Sequence, residues 1–288
     1  MLYMISSALT YFFSLSRYKH EPFRFLLDEM GRLYNEGDDD LLPDALTFGA
    51  IINAYANSFK AGASDKASQL LLHCESLYQL GFDNSKPTTF VYNACMNCFA
   101  KDPLISSENN IEDDNTNSTT NRAFQAEQLL DSMEKRYEEE KDYRIMPDCI
   151  SYSTVINAYA NSNTQQSGIH ADAILRRMTA RYLLGDTKCR PNAIAFTAAI
   201  KAHSAAINAA LSLDDTDGDN TNNPQIIAAA RRCEDILQQL LLLYQNHGND
   251  RSLKPTSVTF ELVIRALTQI EDSKGVERVK LLRKHAKC

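Results

Sequence analysis

Five prolines, Pro43, Pro87, Pro147, Pro191 and Pro255, each open the same pattern. Five residues beyond each stands an aromatic ring: Phe48, Tyr92, Tyr152, Phe196 and Phe260. Nine beyond come Ile52, Met96, Ile156, Ile200 and Ile264. Eleven beyond the residue is always small (Ala54, Cys98, Ala158, Ala202, Ala266), and twelve beyond stand Tyr55, Phe99, Tyr159, His203 and Leu267. Residues at such offsets line one face of an α-helix. A column held small marks where a neighbouring helix comes close, because side-chain volume sets the distance between axes.

A second helix follows each of these. Its frame is an apolar pair, a third apolar residue three further on, and a Tyr four beyond that. The instances are Leu26-Leu27, Met30, Tyr34; Leu70-Leu71, Cys74, Tyr78; Leu129-Leu130, Met133, Tyr137; Ile174-Leu175, Met178, Tyr182; and Ile236-Leu237, Leu240, Tyr244. Gly37, Gly81, Gly185 or Gly248 comes soon after the Tyr, as at a helix end that turns left-handed. The helix ending at Tyr137 lacks this Gly and continues Glu-Glu-Glu-Lys, so it is expected to run on or fray.

The unit is helix, loop, helix, short linker, and Pro begins a helix well but cannot continue one. The chain is therefore expected to be all-α, a stack of helix pairs with bounds 1–42 (incomplete), 43–86, 87–146, 147–190, 191–254 and 255–288. Extra length falls between the two helices of a pair, at 101–122 and 212–223, stretches rich in Asn, Thr, Ser and Asp that are expected to be exposed and disordered. Residues 1–17, with Ala8 near the small column, read as the first helix of the incomplete pair. Residues 273–286 read as a closing second helix. Neither end shows a clearly polar capping helix, which points to a piece of a longer array.

The net charge is −7, and a phosphate-binding surface is ordinarily basic. The acidity is local, however. Residues 101–122 hold five acidic and two basic side chains, and 212–223 hold four acidic and no basic ones, so charges balance elsewhere. The seven cysteines are odd in number and irregularly spaced, which suits a reducing compartment better than a disulfide framework. Few Gly and Pro (10 and 8) disfavour an all-β chain, and no apolar run is long enough to span a membrane.

Chemical motifs are sparse. Cys95 and Cys98 form a C-x-x-C, but both occupy core columns. The run Asp214 to Asp219 resembles a calcium loop, yet its first and last ligands would be Leu213 and Pro224. Asn117-Ser118-Thr119 is a glycosylation sequon, and the six His lack ligand spacing. No nucleophile elbow, P-loop or paired carboxylate stands out. No enzyme, cofactor or metal is expected.

At this point the sequence resembles the pentatricopeptide repeat family. Pro43-Asp44, Thr47-Phe48, Ile52, Ala54, Ala67, Leu70 and Gly81 match its pattern, as do Pro147-Asp148, Ser151-Tyr152, Ile156, Ala158, Ala171, Leu175 and Met178. The units are longer than the family's, with extended linkers and interhelical insertions. The tetratricopeptide signature is absent, and the chain has no Trp.

The resemblance implies a right-handed α-solenoid of helix-turn-helix repeats, of the tetratricopeptide-like superfold. It implies modular recognition of single-stranded RNA in a mitochondrion or plastid, supporting transcript processing, stability or translation. The implied reading pairs are Gly49 with Thr88, Asn93 with Asp148, Ser153 with Asn192, and Thr197 with Thr256. Asn93 with Asp148 resembles a uridine-reading pair and Ser153 with Asn192 an adenine-reading one. Glu261 stands in the same place in the last unit. Leu46, Phe90, Ile150, Ile194 and Val258 would sandwich the bases. Polar residues there are also ordinary first-turn caps, so both uses stay open. Two other roles remain open: a helical-repeat scaffold for protein partners, and the non-catalytic arm of an RNA-processing enzyme. Partners are expected to be single-stranded RNA and proteins of RNA processing, with no membrane and no small-molecule substrate.

Overall fold

A computed structural model describes residues 22–38, 41–102, 118–213, 223–248 and 250–286. The helix expected in 1–17, the calcium-like run and Asn117 lie outside them. Among the described residues there are eleven α-helices and no strand, an arrangement consistent with an α-helical repeat protein. They are α1 (Pro22–Asn35), α2 (Ala45–Ser58), α3 (Ala63–Gln79), α4 (Thr89–Lys101), α5 (Ser118–Glu140), α6 (Cys149–Ser162), α7 (Ser167–Leu183), α8 (Ala193–Leu213), α9 (Pro224–Asn246), α10 (Ser257–Gln269) and α11 (Ser273–His285).

The chain divides into two compact units, Met1–Glu112 with Lys135–Met146, and Asp113–Glu134 with Pro147–Cys288. In the first unit α2 packs on α3 and on α4, and α3 packs on α4. In the second, α6 packs on α7 and α8, α8 on α7, α9 and α10, and α10 on α9 and α11. Within the second unit α8 thus touches its own second helix, the preceding second helix and the next first helix.

The columns explain that packing. Phe48, Tyr92, Tyr152, Phe196 and Phe260 are all buried, as are Ile52, Met96, Ile156 and Ile200, while Ile264 is half-buried. Each fully buried side chain of this size contributes roughly 1.5–3 kcal/mol. The small column permits backbone contact: the Cys98 thiol donates to the Ile52 carbonyl at 3.2 Å, and the Ser167 hydroxyl to that of Ala202 at 2.9 Å. The helix α8 is long and apolar enough to cross a membrane, but 67% of that stretch is buried within its unit.

The linkers carry an element that the sequence reading did not include. A short 3-10 turn precedes Pro87, Pro147, Pro191 and Pro255, at Asp83–Ser85, Tyr143–Ile145, Thr187–Cys189 and Arg251–Leu253. Its last residue is buried every time. The Ser85 hydroxyl donates to the Pro43 carbonyl (2.8 Å) and the Cys189 thiol to that of Pro147 (3.3 Å), tying these two linkers to the one before. These turns account for the extended linker.

One expectation needs correction. The expected insertion 101–122 is too wide. Lys101 closes α4, and the buried Asp102 accepts from the Gly62 and Ser64 amides (3.2 and 3.0 Å) and the Ser64 hydroxyl (2.5 Å). At its other end α5 already begins at Ser118. Likewise α8 reaches Leu213 and Asn223 caps α9, which narrows 212–223. Asp102 looks like insertion acidity in composition, yet it closes backbone donors across the helix pair. The helix α5 runs on through Glu140, three residues past Tyr137, and then stops. Gly37, Gly81, Gly185 and Gly248 all take positive φ, and Lys141, with φ 53°, takes the same place after Glu140. Its amide donates to the Tyr137 carbonyl at 2.9 Å.

Polar ties join successive units of the pattern. The Tyr92 hydroxyl donates to Glu75 at 3.1 Å, and the Tyr152 hydroxyl to Glu134. Both carboxylates lie four residues after the second Leu of the preceding helix. Where the ring is Phe48, Phe196 or Phe260, that place holds Gly31, Thr179 or Leu241, none of them an acid. One column further on, the Tyr159 hydroxyl donates to Glu127, and His203 Nε2 lies 3.4 Å from Asp172. In the first of these columns the two tyrosines, Tyr92 and Tyr152, are the rings that meet an acid.

Arginines complete a ladder between second helices. Arg136 meets Glu75 (3.0 Å), Arg177 meets Asp131 and Glu134 (2.5 and 3.1 Å), Arg232 meets Asp172 (2.7 Å) and Arg278 meets Glu234 (3.0 Å). Burial would raise the Asp172 carboxyl, but hydrogen bonds from His203 and Arg232 hold it below its ordinary value. Burial pushes the Tyr92 hydroxyl up to about 12, so it stays a donor.

Two outcomes follow. Lys141→Gly relieves a left-handed non-glycine residue and raises stability by about 1 kcal/mol in urea unfolding; Gly185→Ala lowers it by a similar amount. Tyr152→Phe costs about 1 kcal/mol alone, whereas Glu134→Leu added to it costs less than in the wild-type background. A double-mutant cycle with no coupling would disprove the ring–carboxylate tie.

Candidate functional site

One face of the first helices stays uncovered in both units. Three residues after each Pro stand Leu46, Phe90, Ile150, Ile194 and Val258, all exposed although apolar. One turn on, at six, come Gly49, Asn93, Ser153, Thr197 and Glu261. The same face continues at ten with Asn53, Asn97, Asn157, Lys201 and Arg265, and at fourteen with Asn57, Lys101, Asn161, Ala205 and Gln269. Spacings of three and four keep these residues in one stripe. The columns at ten and fourteen were missed in the sequence, though aligning the prolines displays them.

The stripe is amide-rich and mildly cationic. In the first unit Lys101 Nζ donates to Asn57 Oδ1 at 2.9 Å; in the second Lys201 Nζ donates to Asn161 Oδ1 at 2.6 Å. Burial lowers the Lys201 ammonium below its ordinary range. The carboxylate of Glu261 meets Arg283 at 3.3 Å, so the one acid among these columns is neutralised.

The residues after each Pro serve as caps. Asp44 Oδ1 accepts from the Thr47 amide (2.7 Å), Asp148 Oδ1 from the Ile150 and Ser151 amides (3.0 and 2.9 Å), and Asn192 Oδ1 from the Ala195 amide (3.0 Å). Thr256 and Thr259 form a capping box, as do Asp148 and Ser151. Thr88 occupies the N-cap of α4 without a side-chain bond. Satisfying the free amides of a helix start explains this column without any ligand.

The expected pairs fare differently. Within the second unit, Thr197 Oγ1 lies 2.8 Å from Thr259 Oγ1, which lies 3.1 Å from Thr256 Oγ1, so a buried third residue joins that pair. Ser153 is buried and its hydroxyl donates to the Cys149 carbonyl at 2.6 Å, which leaves only acceptor capacity outward. Asn192, its carbonyl engaged in the cap, keeps an amide N–H₂ to donate. Gly49 and Thr88 belong to the first unit, and the Phe90 ring lies over Gly49. Asn93 and Asp148 fall in different units.

Cys95 and Cys98 are core residues whose thiols burial pushes up, Cys98 to about 12. Among the described residues no group of three or more His, Cys, Asp or Glu is placed to hold a metal.

No known protein-family model matches this sequence, and neither does any curated protein. The stripe and its caps carry the functional reading on their own.

Asp148→Ala removes a capping acceptor and costs about 1 kcal/mol, while Asp148→Asn, an equally good cap, leaves stability within about 0.5 kcal/mol. Equal losses from both in chemical denaturation would exclude capping as the residue's structural role.

Proposed function

We propose that this chain is a pentatricopeptide-type protein, a right-handed solenoid of helix pairs, that binds single-stranded RNA along the stripe of its first helices. The observation that carries this reading is the repeated order along each of those helices: an exposed apolar residue, a small or polar residue, then amides and cations. An unstacked base needs an apolar surface against its face and polar groups at its edge, and the phosphates need cations nearby. Each need has a column.

The protonation pattern supports a polarity of recognition at one step. Ser153 as acceptor with Asn192 as donor suits an edge with an amino group beside a ring nitrogen, as adenine presents. The acidity of the scaffold does not oppose this, since five carboxylates of the second helices, Glu75, Asp131, Glu134, Asp172 and Glu234, are occupied by the arginine ladder. In this reading the protein is not itself an enzyme. It acts in a mitochondrion or plastid by occupying a transcript during processing, stabilisation or translation, alongside other RNA-processing proteins.

A second reading is favoured by the same exposed apolar column: a scaffold that holds a peptide. Salt separates the two. Gel shifts against single-stranded RNA pools are expected to show binding that weakens with salt and prefers RNA to DNA. Lys201→Ala and Arg265→Ala should each reduce the slope of log K against log salt by about 0.7. Binding that ignores salt, or that does not distinguish RNA from DNA, would refute the RNA reading.

A further inference from the structure

Gly49 is the one glycine in its column, and Phe90 is the one aromatic ring in its own. They meet in the first unit, where α2 packs on α4. A Cβ placed on Gly49 would overlap Cδ1 and Cε1 of Phe90 and lie 3.5 Å from its Cγ. The ring has therefore folded down onto the backbone where other repeats carry Asn93, Ser153, Thr197 or Glu261. Its exposure agrees: 42%, against 57–69% for Leu46, Ile150, Ile194 and Val258. The side chain that would read a base edge is replaced by an aromatic surface with one side still open.

We propose that the Gly49–Phe90 step holds its nucleotide by stacking the base on Phe90 and does not select among bases by hydrogen bonding. This rests on the single-stranded RNA reading above. Every base has a π-face, so stacking gives affinity without sequence preference. The remaining polar member is the half-buried Thr88, whose hydroxyl makes no capping bond. One hydroxyl that can both donate and accept does not distinguish one base edge from another. The step acts as a spacer between selective positions.

The test compares three proteins on a randomised single-stranded RNA pool: wild type, Phe90→Leu and Gly49→Asn. Leucine is what the first repeat carries at this column, so Phe90→Leu is expected to fold, which thermal unfolding checks. Wild type should enrich RNAs with one position of flat base composition. Phe90→Leu should weaken binding about fivefold or more, equally for all four bases at that position. Gly49→Asn, by displacing the ring and supplying an amide, should make the flat position selective. Unchanged affinity in Phe90→Leu, or the absence of any flat position in wild type, would overturn the stacking step while leaving RNA binding intact. Failure of all three proteins to bind any RNA would overturn the RNA reading, and this step with it.

Discussion

The structure depends on how closely one first helix can approach the next. With a small residue eleven places after each Pro, a thiol or hydroxyl can reach a backbone carbonyl across that contact, as Cys98 reaches Ile52. Close approach fixes the neighbouring columns at once. Phe48, Tyr92, Tyr152, Phe196 and Phe260 are driven inward, and positions three and ten after the Pro are left outward. The exposed stripe is thus a by-product of burial. Selection of its chemistry costs little stability, because surface changes away from packing are nearly neutral.

The columns of the fold were legible in the sequence because apolar periodicity and punctuation by Pro and Gly are local signals. The ring–carboxylate ties were less so. They appear only when a first helix is compared with the second helix before it, where Tyr92 and Tyr152 go with Glu75 and Glu134, and the phenylalanines with Gly31, Thr179 and Leu241. The helix stop at Lys141 was hidden for a different reason. Its left-handed backbone contradicts its intrinsic preference, and tertiary packing of the linker overrides that preference. Asp102 was misread because composition averages over a window, whereas its burial depends on two amides forty residues away.

At the candidate site the sequence indicated which positions share a stripe but not how their hydrogen bonds are spent. Asp148, Asn192 and Thr256 look like reading groups and are engaged as caps. The two uses compete for the same oxygen, though not for the same hydrogens. An Asn whose carbonyl caps a helix keeps two N–H donors, while a capping Asp has only its remaining lone pairs. A cap therefore does not abolish a reading role; it dictates which partner edge the residue can still accept.

The same argument extends to the charge balance. In the proposed RNA-binding reading, carboxylates need to be kept away from the binding stripe, and simple deletion is one way to achieve this. Here they are retained and used. Glu75, Glu134, Asp172 and Glu234 accept arginines from the following second helix, so the acids that lower the net charge also hold successive helix pairs together. Since partly buried pairs are screened less than exposed ones, the ladder should persist at salt concentrations that weaken phosphate contacts. In that proposed reading, scaffold stability and ligand affinity rest on electrostatic interactions of different salt sensitivity.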